Sequence, residues 1–163
     1  MPNLFQLTSE YFWLLMLVYL AIRCMQAKNR LSARKSDPRV ESGEAQGLLS
    51  RFAIAAAVPW LLMGLGHLSG ETPSVWYYFR PQDGNAFVLA WFTTCFLLSA
   101  AYAWWVMSAN GASKVRDFNL GALVGLRSSV KSERGIKFFA LSGPVLFLIT
   151  VALVVSWNIK LPP

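Results

Sequence analysis

The chain has 163 residues, of which 55% are hydrophobic and 14% are charged, and its mean hydropathy is +0.43. This composition excludes an ordinary soluble domain, in which charged residues make up about 25% of the chain. The formal net charge is +7, and its distribution along the chain indicates membrane topology in preference to nucleic-acid binding.

Four segments are almost free of charge over the roughly 20 residues that a helix needs to cross hydrocarbon. They are residues 7–25, 48–68, 86–107 and 136–157. Their apolar runs lack the alternation of barrel strands, and lipid permits only helices or closed barrels. The sequence therefore predicts an all-α integral membrane protein, a four-transmembrane-helix bundle that forms a single membrane domain over residues 1–163.

The first segment differs from a cleaved signal peptide. No lysine or arginine precedes it, and its apolar run is longer than the core of such a peptide. We expect an uncleaved helix that begins after Thr8-Ser9-Glu10, where a hydroxyl group can cap it, and ends near Arg23 at the headgroups.

Lysine and arginine positions predict the orientation. All but two of the 15 basic residues lie in or beside the loops 26–47 and 108–135, and the exceptions are Arg80 and Lys160. Basic loops face the cytoplasm, so we expect both termini and the loop 69–85 on the outer side. This topology favours a bacterial inner (plasma) membrane, with membrane lipids as partners and no nucleic acid.

The second predicted helix is rich in small residues, which let helix backbones approach closely in lipid. They are Ala53, Ala55, Ala56, Ala57, Gly64 and Gly66. We expect this helix at the centre of the bundle. His67, the only histidine of the chain, lies near its outer end. A single histidine could ligate a haem or chlorin, but a hydrogen-bonding role near the headgroups is commoner, so we expect no cofactor and no metal site.

The outer loop contains the least generic stretch of the sequence. Four consecutive aromatic residues, Trp76 to Phe79, precede Arg80 and Asp83. They can form an aromatic belt at the headgroups or a docking surface for a partner. Because four consecutive side chains cannot share one helix face, we expect some to pack on the bundle or on a partner. The candidate ligand or partner site at this face consists of His67, Trp76, Tyr77, Tyr78, Arg80 and Asp83.

The loop 108–135 has the pattern of an interfacial amphipathic helix. On a helical wheel one face is apolar, with Val115, Phe118, Ala122, Leu126 and Val130. Basic residues occupy another face and are candidate contacts for anionic lipid: Arg116, Arg127, Lys131 and Arg134. We therefore expect a second cytoplasmic loop that lies on the inner leaflet.

Functional chemistry is sparse in this sequence. The predicted helix interiors carry no Asp, Glu, Lys or Arg, which disfavours proton- or ion-coupled transport, and no nucleophile and base have the spacing of a catalytic pair. The leading hypothesis is a non-enzymatic accessory, structural or assembly subunit of a larger membrane complex, or a small homo-oligomer. The alternative is a small membrane enzyme, or a binder of lipid or a small molecule, with an outer-face site around His67 and Arg80.

Overall fold

The computed structural model describes residues 4–32, 43–118, 120 and 132–156, which form helices and turns without a strand. The α-helices are α1 (Leu4–Glu10), α2 (Phe12–Ser32), α3 (Glu44–Leu68), α4 (Ala86–Ser108), α5 (Gly111–Asp117) and α6 (Glu133–Ser156). Two short 3-10 helices, Val75–Phe79 and Pro81–Asp83, lie between α3 and α4. For these residues the all-helical fold expected from the sequence is confirmed.

Three helices are long and apolar enough to cross a membrane: α3 with 25 residues, α4 with 23 and α6 with 24. They coincide with the second, third and fourth predicted segments to within a few residues at each end. Helix α3 begins four residues earlier than expected, at Glu44. A carboxylate in the first turn faces the positive end of the helix dipole, which favours this earlier start.

The first predicted segment is not one straight helix. Helices α1 and α2 meet at Tyr11 with a bend of 71°, and only together do they reach the apolar character of a membrane span. The Thr8 hydroxyl donates to the carbonyl of Leu4 at 2.5 Å, and the Ser9 hydroxyl donates to that of Gln6 at 2.8 Å. Such side-chain bonds to carbonyls of the preceding turn compete with helix amides and bend helices. The expected cap at residues 8–10 is wrong, because these residues lie inside α1, and α2 ends at Ser32 instead of near Arg23.

The long helices pack in series. Helix α2 packs on α3, α3 on α4, and α4 on α6. Among the described residues, α2 makes no more than isolated contacts with α4 or α6. A closed square of four helices would need a fourth side between α2 and α6, and this side is open. Both α3 and α4 are therefore inner helices of the row, and α6 is an outer one.

The buried residues concentrate at the two ends of the helices. One core, at the end that carries the loop 69–85, contains Met63, Tyr78 and Val88. Two further cores lie at the other end, which we name the basic end because Arg30, Arg51 and Lys114 lie there. Lipid tails are as apolar as leucine, so burial of apolar side chains gains little between the ends. The structure is closely packed where the chain leaves the apolar region.

Candidate functional site

The segment 69–85 folds back over the end of α3 to form a structured surface, which we name the outer cap because the sequence predicts it on the outer side. The amide of Thr72 donates to the carbonyl of Gly66 at 3.0 Å, and Thr72 is 1% exposed. The side-chain amide of Asn85 donates to the carbonyl of Glu71 at 3.2 Å, while its oxygen accepts from the amides of Phe87 and Val88 at the start of α4. Both ends of the segment are thus fixed to the helices.

Gly66 allows the outer cap to approach α3 closely. A Cβ atom at this position would overlap the Oγ1 atom of Thr72 and would lie 3.0 Å from the Oη atom of Tyr78. Gly64, half a turn earlier, has the same role toward α2, because a Cβ atom there would lie 2.7 Å from the ring of Trp13. Gly64 and Gly66 of α3 therefore serve close packing, as the sequence indicated for its small residues.

His67, near the end of α3, contacts the outer cap. Its Nδ1 atom lies 3.0 Å from the carbonyl oxygen of Pro73, and its ring centroid is 5.4 Å from that of Tyr11 and 6.4 Å from that of Trp13. Because a carbonyl only accepts, this bond requires the proton on Nδ1. In the part of the chain that the structure describes, no group of three or more His, Cys, Asp and Glu residues could hold a metal ion. The imidazole therefore has a structural partner that links α3 to the loop.

The consecutive aromatic residues divide between inside and outside. Tyr78 is 4% exposed and packs with Met63 and Val88, whereas Phe79 is 38% exposed. Tyr77 is half-buried beside the same core. The ring of Trp76 lies 5.7 Å from that of Phe5 on α1, so the bend at Tyr11 places α1 against the cap. Tyr78 is thus a core residue, and Phe79 is the exposed ring of the four.

Burial also affects the chemistry of Tyr78. Its Oη atom lies 3.3 Å from the Oγ1 atom of Thr72. Loss of solvent raises the pKa of Tyr78 above its ordinary value, and the hydrogen bond with Thr72 offsets part of this effect. The phenol is therefore kept neutral and is a hydrogen-bonding group of the fold.

Arg80 and Asp83 form an ion pair. The Nη2 atom of Arg80 lies 2.9 Å from the Oδ1 atom of Asp83, and both side chains are partly exposed. The Nε atom of Arg80 is buried and has no hydrogen-bond partner among the described residues. The pair spans the second 3-10 helix, whose first residue, Pro81, is buried. These two predicted site residues are therefore partners of each other.

At the basic end, the expected interfacial helix is only partly within the described residues. Helix α5 ends at Asp117, and its apolar residue Val115 is 1% exposed. Phe118 is 6% exposed in a core with Leu31 and Leu49. The apolar face that was expected to enter lipid is, at these positions, buried in the protein. The expectation is corrected for Val115 and Phe118, because an amphipathic pattern is the same whether protein or lipid covers it.

The basic residues of this region have acidic partners. Lys114 pairs with Glu44 at 2.6 Å, and Arg116 pairs with Asp117 at 2.9 Å and with Glu133 at 2.8 Å. The hydrogen bond and charge of Asp117 raise the pKa of Arg116 above its ordinary value. Arg134 is exposed. Two further candidate lipid contacts, Arg127 and Lys131, lie outside the described residues.

A cavity that the sequence did not predict lies among α2, α3 and α4, and we name it the basic-end cavity. Its volume is about 370 Å³. Most of its lining is apolar, and the lining residues include Leu20, Cys24, Arg51, Ala55, Ala101 and Tyr102. The alanines that suggested close helix packing leave this space instead. Their signal in the sequence was the small-residue stretch at residues 53–56, but an alanine face indicates either a tight contact or a cavity.

No protein-family model, curated protein or solved structure matches this chain.

Proposed function

We propose that the protein is a non-enzymatic accessory, structural or assembly subunit of a larger membrane complex, or a small homo-oligomer. The proposal includes a topology of four spans, with α1 and α2 together as the first and both termini outside. The surplus of basic residues in two loops supports this orientation. A bacterial inner (plasma) membrane is the location that this topology favours.

The observation that carries the proposal is the open side of the helix row. Helix α6 packs on α4 and α5, while residues on its other faces are exposed, among them Leu146, Leu148 and Leu153. Within its most apolar stretch only 6% of the residues are buried. A second protein can cover this surface through side-chain packing, which drives helix association in lipid.

The alternative is an enzyme or a small-molecule binder at the outer face around His67 and Arg80. The polar contacts of these residues favour a structural role, since His67 hydrogen-bonds the carbonyl of Pro73 and Arg80 forms an ion pair with Asp83. Single ligation of a haem or chlorin by His67 belongs to this alternative. His67→Ala separates the two proposals, because an outer-face activity is then lost without loss of a partner.

Site-directed photo-cross-linking tests the subunit proposal. A photoreactive amino acid at Leu148, which is 53% exposed, should give a protein adduct of one defined mass in the native membrane. The matched control is Phe147, the next residue, whose ring lies 5.9 Å from that of Phe92 on α4. This position should give only products within the chain. Adducts with lipid alone at Leu148 would contradict the proposal.

A further inference from the structure

The basic-end cavity lies where two helices fail to meet. Helices α2 and α4 both pack on α3, yet among the described residues they make no more than isolated contacts with each other. Leu20 and Cys24 of α2 line one side, and Leu98 and Tyr102 of α4 line the other. Between them, α3 contributes a floor of alanines that includes Ala55. The space is therefore built into the helix row and is not a gap between flexible loops.

Polarity changes along this cavity in the order found in a phospholipid. Arg51 lies toward the basic end of α3, and Ala55 lies about 6 Å further along the helix at a rise of 1.5 Å per residue. Phe52 forms edge-to-face contacts with Tyr102 at 6.0 Å and with Trp105 at 5.4 Å. Tyrosine and tryptophan prefer the level of the headgroups. A cation, an aromatic zone and an apolar region thus succeed one another.

One cationic group at the cavity has unused bonding capacity. Within the described residues Arg51 forms no ion pair, whereas Lys114 and Arg116 at the same end do. A guanidinium binds phosphate well. Arg51 therefore suits a ligand with a phosphate group.

We propose that the basic-end cavity binds one acyl chain of an anionic glycerophospholipid, with the phosphate held by Arg51. Most of the cavity lining is apolar, which suits an acyl chain. The basic-end cavity is distinct from the open side between α2 and α6. Lipid binding in the cavity does not depend on the proposed subunit role.

Native mass spectrometry of the full chain tests this proposal. The protein in mild detergent is mixed with equal amounts of phosphatidylglycerol and phosphatidylcholine that carry the same acyl chains. We expect about a fivefold preference for the anionic lipid, the contribution of one basic residue near an anionic headgroup. Arg51→Gln should abolish the preference and Arg51→Lys should retain most of it. The matched control is Arg30→Gln, which removes one exposed charge at the same end but outside the cavity and should leave the preference unchanged.

A second pair of variants tests the acyl-chain site. Ala55→Leu and Ala101→Leu add bulk inside the cavity, so retention of both lipids should fall by about fivefold or more, which is the effect of losing roughly 40 Å² of apolar contact. Ala152→Leu adds the same bulk on an exposed part of α6 and should change nothing. Circular dichroism of each variant reports whether it is folded. The proposal would be overturned if the unmodified chain retained both lipids equally, or if Ala55→Leu and Ala101→Leu folded and still bound lipid undiminished. A dimer of the chain that carries no lipid would overturn it as well.

Discussion

Tyr78 illustrates how one side chain of the outer cap is specified. Its ring fills the core formed with Met63 and Val88, and its hydroxyl group bonds Thr72. Thr72 in turn lies against Gly66, where no Cβ atom can be accommodated without movement. Gly66, Thr72 and Tyr78 are not neighbours in the sequence, so their contact depends on how the loop folds.

The raised pKa of Tyr78 predicts a loss of stability in alkali. Its ordinary pKa is 10.0, so the unfolded chain releases this proton before the folded chain does. Stability is therefore complete below about pH 10 and falls as the pH rises through the higher pKa of the folded state. Thermal unfolding in detergent between about pH 8 and pH 11 measures this. Tyr78→Phe should unfold at a lower temperature than the unmodified protein at about pH 8, but its unfolding temperature should fall less as the pH rises. An equal fall in unfolding temperature for the two proteins would contradict the prediction.

Gly66→Ala should destabilise the protein. The added methyl group meets Thr72 and Tyr78, and overpacking of this kind costs about 1–3 kcal/mol. Gly47→Ala is the matched control, since it lies in the same helix with no neighbour within 4 Å of a Cβ atom. It should stabilise by about 0.5–1 kcal/mol through helix propensity. Denaturant unfolding followed by circular dichroism compares the two, and an equal effect of both would remove the close-packing role of Gly66.

The sequence could predict the outer aromatic cluster but not the role of each ring. Trp76, Tyr78 and Phe79 are all aromatic and lie close together in the chain. Only the 3-10 geometry of Val75–Phe79 turns Tyr78 inward and leaves Phe79 exposed. The polar partner of His67, the carbonyl of Pro73, was likewise not predictable, because a backbone carbonyl leaves no residue-type signal.

At the level of elements, α5 shows that an amphipathic pattern does not identify what covers its apolar face. Val115 and Phe118 follow helical spacing, as the interfacial-helix prediction required, but protein buries both. Lys114 and Arg116 then form ion pairs with Glu44 and Glu133. Exposed pairs of this kind contribute little to the free energy of unfolding. The apolar contacts of α5 are therefore the larger contribution to its position.

Val115→Ala tests this assignment of α5. The valine packs in a core with Val106 and Ile136, so its truncation should lower the free energy of unfolding by about 1–3 kcal/mol. Val145→Ala on α6 is the control, because that valine is 57% exposed and faces away from the protein cores. Denaturant unfolding in detergent is the measurement. A neutral Val115→Ala together with weakened binding to anionic vesicles would restore the interfacial interpretation.

On the scale of the whole molecule, apolar segment length was sufficient to predict α3, α4 and α6. The order in which the helices pack was not predictable, because each is apolar on most faces and presents no single stripe. Helix α3 contacts both α2 and α4, in line with its small residues, while within the described residues α2 makes no more than isolated contacts with α6. The 71° bend at Tyr11 was not predictable from the apolar pattern of the first segment.

Cysteine labelling tests the orientation. In a variant without Cys24 and Cys95, a cysteine at Ser74 should react with an impermeant thiol reagent in intact cells. Cysteines at Ser32 or Ser113 should react only after the cells are permeabilised, because the basic loops are expected inside. Labelling of Ser32→Cys in intact cells would reverse the orientation.

We propose that another polypeptide completes the open helix row. The mass of the particle released from the native membrane by mild solubilisation, measured by native mass spectrometry, tests this proposal. We expect a mass that exceeds the 18.2 kDa of one chain by at least one further polypeptide or a second copy. A particle that contains one chain and only bound lipid would contradict it.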